Sequence, residues 1–229
     1  TEHSRRYLLS EGIRKDHVFV TGSPMPEVLY AHMDQINRSD ALEKLGLTED
    51  GYILVSAHRE ENIDNEQHFH SLVNALNSTA ETYCMPVIYS THPRSWKRIE
   101  DAGIRFNPLI RQLKPFGFFD YNRLQKSAYC VLSDSGTLSE ESAILGFTGI
   151  LIRNSTERPE VLDKGTVIIG GMTFDSICSS IELAGAMKAA NEPTVLASDY
   201  TDRNVSVKVA KIMQSYVPIV NEMIWRKPK

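Results

Sequence analysis

Short apolar runs of strand length recur along the chain, and amphipathic stretches of helical period separate them. Val18-Phe19-Val20 ends at Thr21-Gly22-Ser23-Pro24, and the regular alternation begins after it. Tyr52–Ser56, Val87–Tyr89, Leu109–Ile110, Tyr129–Leu132, Gly149–Ile152 and Thr166–Ile169 read as successive strands. Between the first two, Phe69, Leu72, Val73 and Leu76 fall on one helical face, with Asp64 the expected cap. Further helices are predicted over residues 95–101, 118–127 and 137–145. One more is capped by Thr173 and carries Ile177, Ile181 and Ala184 inward. Residues 2–11 form a leading helix stopped by Gly12. A closing helix over 202–216 aligns Val205, Val209, Ile212, Met213 and Tyr216.

Strands that are apolar on both faces and alternate with helices imply an α/β, doubly wound parallel sheet. The expected organisation is one such domain over residues 22–200, a leading segment 1–21 and a tail 201–229. A sheet of this kind binds ligands beyond the carboxyl ends of its strands. The loops there read Ala57-His58-Arg59-Glu60-Glu61-Asn62, Ser90-Thr91-His92-Pro93-Arg94, Ser133-Asp134-Ser135-Gly136-Thr137 and Arg153 through Glu160. Connection alone needs no such density of His, Arg, Ser and Glu.

Ser135-Gly136-Thr137 opens a helix directly after a buried strand. Free N–H groups, the helix dipole and the absence of a Cβ at Gly136 favour a phosphate there. His58, Arg59, Arg94, Arg153 and Arg158 are candidates for the counter-charge of a diphosphate. Glu141, about one turn into that helix, is placed to accept from two ribose hydroxyls. The sequence carries neither the Gly-x-x-x-x-Gly-Lys-Ser/Thr loop nor the Gly-x-Gly-x-x-Gly fingerprint.

Plainer structural readings stand beside these. Ser-Gly after a strand is often only a turn. Arg158-Pro159-Glu160 suits a helix start with Pro at its first position. His58-Arg59-Glu60 suits a solvated loop. His68 and His70 point to different faces of a helix, and His58 and His92 lack further ligands for zinc, so no metal site is expected. Phe116 through Tyr121 suits packing as well as a base platform.

Composition narrows the classes. The 229 residues carry a net charge of −4, 41% hydrophobic and 24% charged residues. Nucleic acid is not an expected partner, because no basic excess exists to meet a phosphate backbone. No apolar run reaches the ~20 residues of a membrane span. Cys84, Cys130 and Cys178 form no paired pattern, which fits a reducing, cytoplasmic compartment. The start, Thr-Glu-His-Ser-Arg-Arg, reads neither as a signal peptide nor as a natural beginning, so a longer protein is expected.

Three of these segments together resemble the non-hydrolysing UDP-N-acetylglucosamine 2-epimerase family. They are His58-Arg59-Glu60-Glu61-Asn62, Asp134-Ser135-Gly136-Thr137-Leu138-Ser139-Glu140-Glu141 and Thr156-Glu157-Arg158-Pro159-Glu160. Pro115–Gln125 is similar to the family's uracil-side segment. Thr137 and Ser139 stand where the usual loop has Gly and Gln. Together with Thr21-Gly22-Ser23-Pro24-Met25 and Thr91-His92-Pro93-Arg94, this is more similar to the branch making UDP-N-acetyl-L-fucosamine for capsule and O-antigen.

The resemblance implies a Rossmann-like fold, here the C-terminal half of a GT-B-type two-domain epimerase. It implies a UDP-sugar substrate and no cofactor. It also implies elimination of UDP to a glycal, followed by re-addition with inversion at C2. His58 and Arg59 would assist at the leaving diphosphate. Ser135, Gly136, Thr137, Glu141, Arg153, Phe118, Tyr121, Glu61, His92, Arg94 and Arg158 would bind the nucleotide sugar. The C2 acid and base would lie in a preceding domain, through which the full-length protein would form a homodimer, and this chain alone would be inactive. A GT-B glycosyltransferase and a UDP-binding module without catalysis remain the alternatives.

Overall fold

A computed structural model describes residues 1–192 and 194–227, which divide into two compact units. The larger, His32–Leu196, holds a six-stranded sheet. Its strands are β1 (Ile53–Ser56), β2 (Val87–Ser90), β3 (Ile110–Leu113), β4 (Cys130–Ser133), β5 (Gly149–Leu151) and β6 (Val167–Ile169). Every pairing is parallel and the order is β3-β2-β1-β4-β5-β6. The chain moves outward from β1 to β3 and then returns to the other side of β1. The switch point therefore lies between β1 and β4, where Ser56 pairs with Ser133.

Burial on both faces explains the uniform apolarity of the central strands. Ile53, Val55, Cys130 and Leu132 pack on Phe69, Leu72, Val73 and Leu76 of helix Glu66–Tyr83 and on Ile177 and Ile181 of helix Phe174–Ala189. Leu54 and Val131 alternate to the opposite face and are fully buried. Helix Leu138–Leu145 packs close to β5: a Cβ on Gly149 would meet Ser142 Cβ at 3.1 Å and Leu138 Cγ at 3.3 Å.

Several expectations shift. Asn65, not Asp64, caps helix Glu66–Tyr83, its side chain accepting from the His68 N–H. Asp64 instead closes a short helix, Glu60–Ile63, that the pattern did not predict. The edge strand β3 runs over Ile110–Leu113 and not 109–110. Its exposed Arg111 interrupts the apolar signal. Short helices at Met25–Ala31, Met33–Asn37, Ala41–Leu45 and Pro159–Asp163 were also not predicted from periodicity, each being too short to display it.

The smaller unit joins Thr1–Ala31 to Ala197–Lys229. Within it, Leu29 and Tyr200 are fully buried. The Ser23 N–H donates to the Asp199 carbonyl at 2.9 Å, and Ser206 donates to Glu27 through its N–H at 2.9 Å and through its hydroxyl. The Arg203 guanidinium lies 3.7 Å from the Tyr30 ring centroid. The closing helix runs Val205–Ile219 and continues as a π-helical turn, Val220–Ile224, beyond the predicted end at 216.

Gly149→Val is expected to lower the stability of the sheet unit by about 1–3 kcal/mol, because branched methyls would force the helix Leu138–Leu145 off β5. Urea unfolding measures it. An unchanged midpoint would show that this contact is looser than described.

Candidate functional site

The carboxyl ends of β1, β2, β4 and β5 deliver four loops to one edge of the sheet, and buried hydrogen bonds lock them together. The Asp134 side chain is fully buried just past β4. Its Oδ2 accepts from the backbone N–H groups of His58 and Arg59, each at 2.9 Å, and from Asn62 Nδ2 at 3.1 Å. Asn62 also donates to the Ile152 carbonyl at 3.0 Å, which ties in the loop after β5. The Ala57 carbonyl accepts from Ser95 Oγ at 2.7 Å and from the Tyr89 hydroxyl at 3.2 Å, which ties in β2 and its helix. His58 Nδ1 lies 3.2 Å from Asp134 Oδ1, an ion-pair distance without hydrogen-bond alignment. The His58 and His92 rings are 5.9 Å apart.

Ser135, Gly136 and Thr137 form the turn into the helix, which itself begins at Leu138 with Thr137 at the cap. The Ser135 N–H donates to Ser133 Oγ at 3.1 Å, and the Ser135 and Thr137 hydroxyls are 2.9 Å apart. A Cβ on Gly136 would meet Arg59 Nη2 and Glu157 Oε2, each at 3.9 Å, so a cation and a carboxylate flank this turn.

The expected counter-charges are mostly occupied. Arg153 is buried and makes a bidentate pair with Glu157, at 2.8 and 2.6 Å, and a bond to Glu61 at 3.3 Å. Arg153 holds the Glu157 carboxyl down at about 2, against an ordinary 4.5. Arg94 pairs with Glu60 at 2.9 Å and with Asp64. Arg158 Nε lies 3.6 Å from Glu140. Among the described residues, Arg59 has no carboxylate within ion-pair distance. Of these four arginines Arg59 alone makes no ion pair among the described residues, although its charge reaches Glu157 on the same turn. The segment around Arg158-Pro159-Glu160 does start a helix, at Pro159.

Glu141 is buried, yet its surroundings are polar. Gln125 Nε2 donates to its Oε2 at 2.7 Å, and Thr137 is a further hydrogen-bond partner. Burial pushes its carboxyl upward, while the bonds from Gln125 and Thr137 oppose the rise. Tyr121, held near the hydroxyls of Ser56 and Ser133, is likewise pushed up by burial. Phe118 and Phe119 are exposed, not packed inside as one reading allowed, and the His32 ring lies 6.2 and 5.5 Å from them. Among the described residues no cluster of three or more His, Cys, Asp or Glu is placed to hold a metal, and no helix is long and apolar enough to cross a membrane. A cleft of about 550 Å³ lies at the opposite edge, lined by Ala128, Thr148, Thr166 and Lys188.

Sequence reading found the four loops but not the parts of Asp134 and Asn62 as ties between them. Asp134 was legible only as a letter of the Asp-Ser-Gly segment. Its partners lie about 75 residues away and have no periodic signature.

Comparison with known proteins decides the family: the UDP-N-acetylglucosamine 2-epimerase model matches residues 1–214. The chain belongs to the UDP-N-acetylglucosamine 2-epimerase family. A curated UDP-N-acetylglucosamine 2-epimerase from Methanocaldococcus jannaschii is 30% identical over 190 residues, covering 80% of this chain and 52% of that protein. The structure of the Rickettsia bellii UDP-N-acetylglucosamine 2-epimerase superposes with a TM-score of 0.85 at 37% identity, covering 99% of this chain and 61% of that one. The Methanocaldococcus jannaschii UDP-GlcNAc 2-epimerase in complex with UDP-GlcNAc and UDP gives 0.83 at 26%, covering 94% and 59%. The fold is the α/β, Rossmann-like one of the GT-B epimerases. The chain spans about half to three fifths of the length of these family members.

The depressed Glu157 carboxyl supplies a pH test. Its ion pair with Arg153 contributes fully above the ordinary value of 4.5 and is lost as the pH falls through about 2. In Arg153→Met, NMR titration is expected to find Glu157 moved up toward 4.5, with Arg59 and a backbone N–H still holding it somewhat below. A wild-type midpoint already near 4.5 would contradict the pairing.

Proposed function

We propose that this chain is the UDP-binding part of a UDP-N-acetylhexosamine 2-epimerase whose remaining domain precedes it. Residues 1–21 are then the end of that domain and the crossover, 22–200 the UDP-binding domain, and 201–229 the returning helix and tail. The observation that carries this reading is the Asp134 tie. It sets Arg59, His58 and the Gly136 turn side by side at the switch point, where a diphosphate is best received. Family membership, and relatives crystallised with UDP or UDP-GlcNAc, support it.

The chemistry assigns each group a task. The C2 hydrogen of an acetamido sugar is not beside a carbonyl, so direct deprotonation is costly. Elimination avoids this: the C1–O bond breaks with its electrons passing to UDP, a base takes the C2 proton, and a C1–C2 double bond forms. In the return step a UDP oxygen attacks C1 while C2 takes a proton on its other face. Negative charge grows on the diphosphate as the bond breaks. Donors already fixed in place stabilise it without reorganisation. Arg59, His58 and the Gly136 N–H fill that role, the Ser135 and Thr137 N–H groups being bonded within the turn. Glu141 holds the ribose, and Phe118 and Tyr121 lie on the uracil side. His92, Arg94, Arg158 and Glu61 border the sugar and diphosphate. Arg153 acts here mainly through Glu157 and Glu61, which it positions.

The C2 acid and base come from the preceding domain, and the assembled protein dimerises through that domain. The substrate is a 6-deoxy UDP-N-acetylhexosamine of surface-polysaccharide synthesis, handled in the cytoplasm. Thr137 and Ser139 support this branch.

UDP is expected to raise the Tm of the 229-residue chain at millimolar concentration, while the chain turns over no sugar. Arg59→Ala should weaken UDP by about tenfold, the worth of one charge-assisted hydrogen bond. Absence of stabilisation at millimolar UDP, or epimerisation by the chain alone, would contradict the reading. In the full-length protein, solvent deuterium should enter C2, which a glycosyltransferase would not allow.

A further inference from the structure

Beneath the Gly136 turn lies a buried amide that the proposed chemistry does not use. Gln125, on helix Phe118–Ser127, is 1% exposed, and its Nε2 lies 2.7 Å from Glu141 Oε2. Its own Oε1 is buried without a hydrogen-bond partner. A glutamine in such a place is costly compared with leucine or methionine, because an unpaired amide oxygen loses its water for nothing. Its amide N–H bonds one oxygen of one carboxylate. That carboxylate is itself 8% exposed, on a helix whose neighbouring residue is a second glutamate, Glu140.

Without a donor from outside its own helix, Glu141 would be left with the Thr137 bond alone. Burial and the repulsion of Glu140 both favour the neutral form. The groups facing it are Gln125 and Tyr121 from helix Phe118–Ser127, and Thr137 and Glu140 from its own turn and helix. None of these is a cation. The Gln125 amide is therefore the group that both fixes the rotamer of Glu141 and favours its charged state.

We infer that Gln125 is a positioning residue for ribose recognition: it orients Glu141 and keeps it an acceptor for the nucleotide's 2′- and 3′-hydroxyls. The inference rests on the reading of Glu141 as the ribose acceptor. It extends that reading by making discrimination for ribose depend on a residue of the preceding helix that need not touch the nucleotide.

The test compares UDP with 2′,3′-dideoxyuridine diphosphate by calorimetry, which separates ribose recognition from diphosphate binding. The wild type should prefer UDP by about tenfold or more, the worth of hydrogen bonds to a charged acceptor. Glu141→Gln should abolish most of that preference. Gln125→Leu and Gln125→Met should lose it to a similar degree, with affinity for the dideoxy compound unchanged. That unchanged affinity also shows that the fold and the diphosphate site survive. A second readout is the pH profile of UDP binding. Binding should fall as Glu141 takes a proton, and in the Gln125 variants that fall should move to higher pH, since the bond that opposed protonation is gone.

A folded Gln125 variant that keeps the wild-type preference overturns the inference while leaving Glu141 as the ribose acceptor. Equal loss of both ligands in the two variants also overturns it, by showing a structural role alone. If Glu141→Gln keeps the preference, the ribose reading and the inference fall together.

Discussion

One buried carboxylate holds the ligand edge of this protein together. Asp134 leaves β4 and accepts from two consecutive backbone N–H groups of the loop after β1 and from Asn62. These strands are neighbours in space although 76 residues separate Asp134 from His58. The two loops depart toward opposite sides of the sheet at the switch point, so nothing in regular secondary structure would keep them in register. An acceptor with several bonds in a low-dielectric setting does so, and its bonds to charged oxygen are stronger than neutral ones. Asn62 passes the constraint to the loop after β5, and the Ala57 carbonyl passes it to β2.

The consequence is electrostatic preorganisation with modest net charge. The loops contain many arginines, but Arg153 is neutralised by Glu157 and Glu61, and Arg94 by Glu60 and Asp64. Those pairs act as struts. They set the walls of this edge and leave Arg59, beside Gly136, without an ion pair among the described residues. A site built in this way does not need to reorganise when charge develops on a leaving group, the property that the proposed elimination of UDP would use. Glu141 shows the complementary case. It is a buried carboxylate bonded by Gln125 and Thr137 rather than by a cation.

The architecture was legible because the central strands are buried on both faces. Ile53, Val55 and Leu132 could not be anything but apolar, and the helices between them show their inward faces at regular spacing. Legibility failed where these signals are absent. The edge strand β3 carries exposed Arg111, and the helices Glu60–Ile63 and Pro159–Asp163 last about one turn. Asp64 and Asn65 are equally good caps by type, and only the bond to His68 distinguishes them. At the site, loop composition identified the right edge of the sheet but not which arginines were already paired. Pairing depends on side chains brought together by the fold, as with Arg153 and Glu61, 92 residues apart. The Gln125–Glu141 contact is invisible for the same reason.

The most direct test is a crystal structure of the protein with UDP. The account predicts the diphosphate against the Gly136 turn and the Arg59 guanidinium, with both ribose hydroxyls on Glu141 and the Asp134 bonds to His58 and Arg59 intact. UDP bound at another edge of the sheet, such as the cleft lined by Thr148 and Lys188, or a ribose that leaves Glu141 untouched, would contradict it.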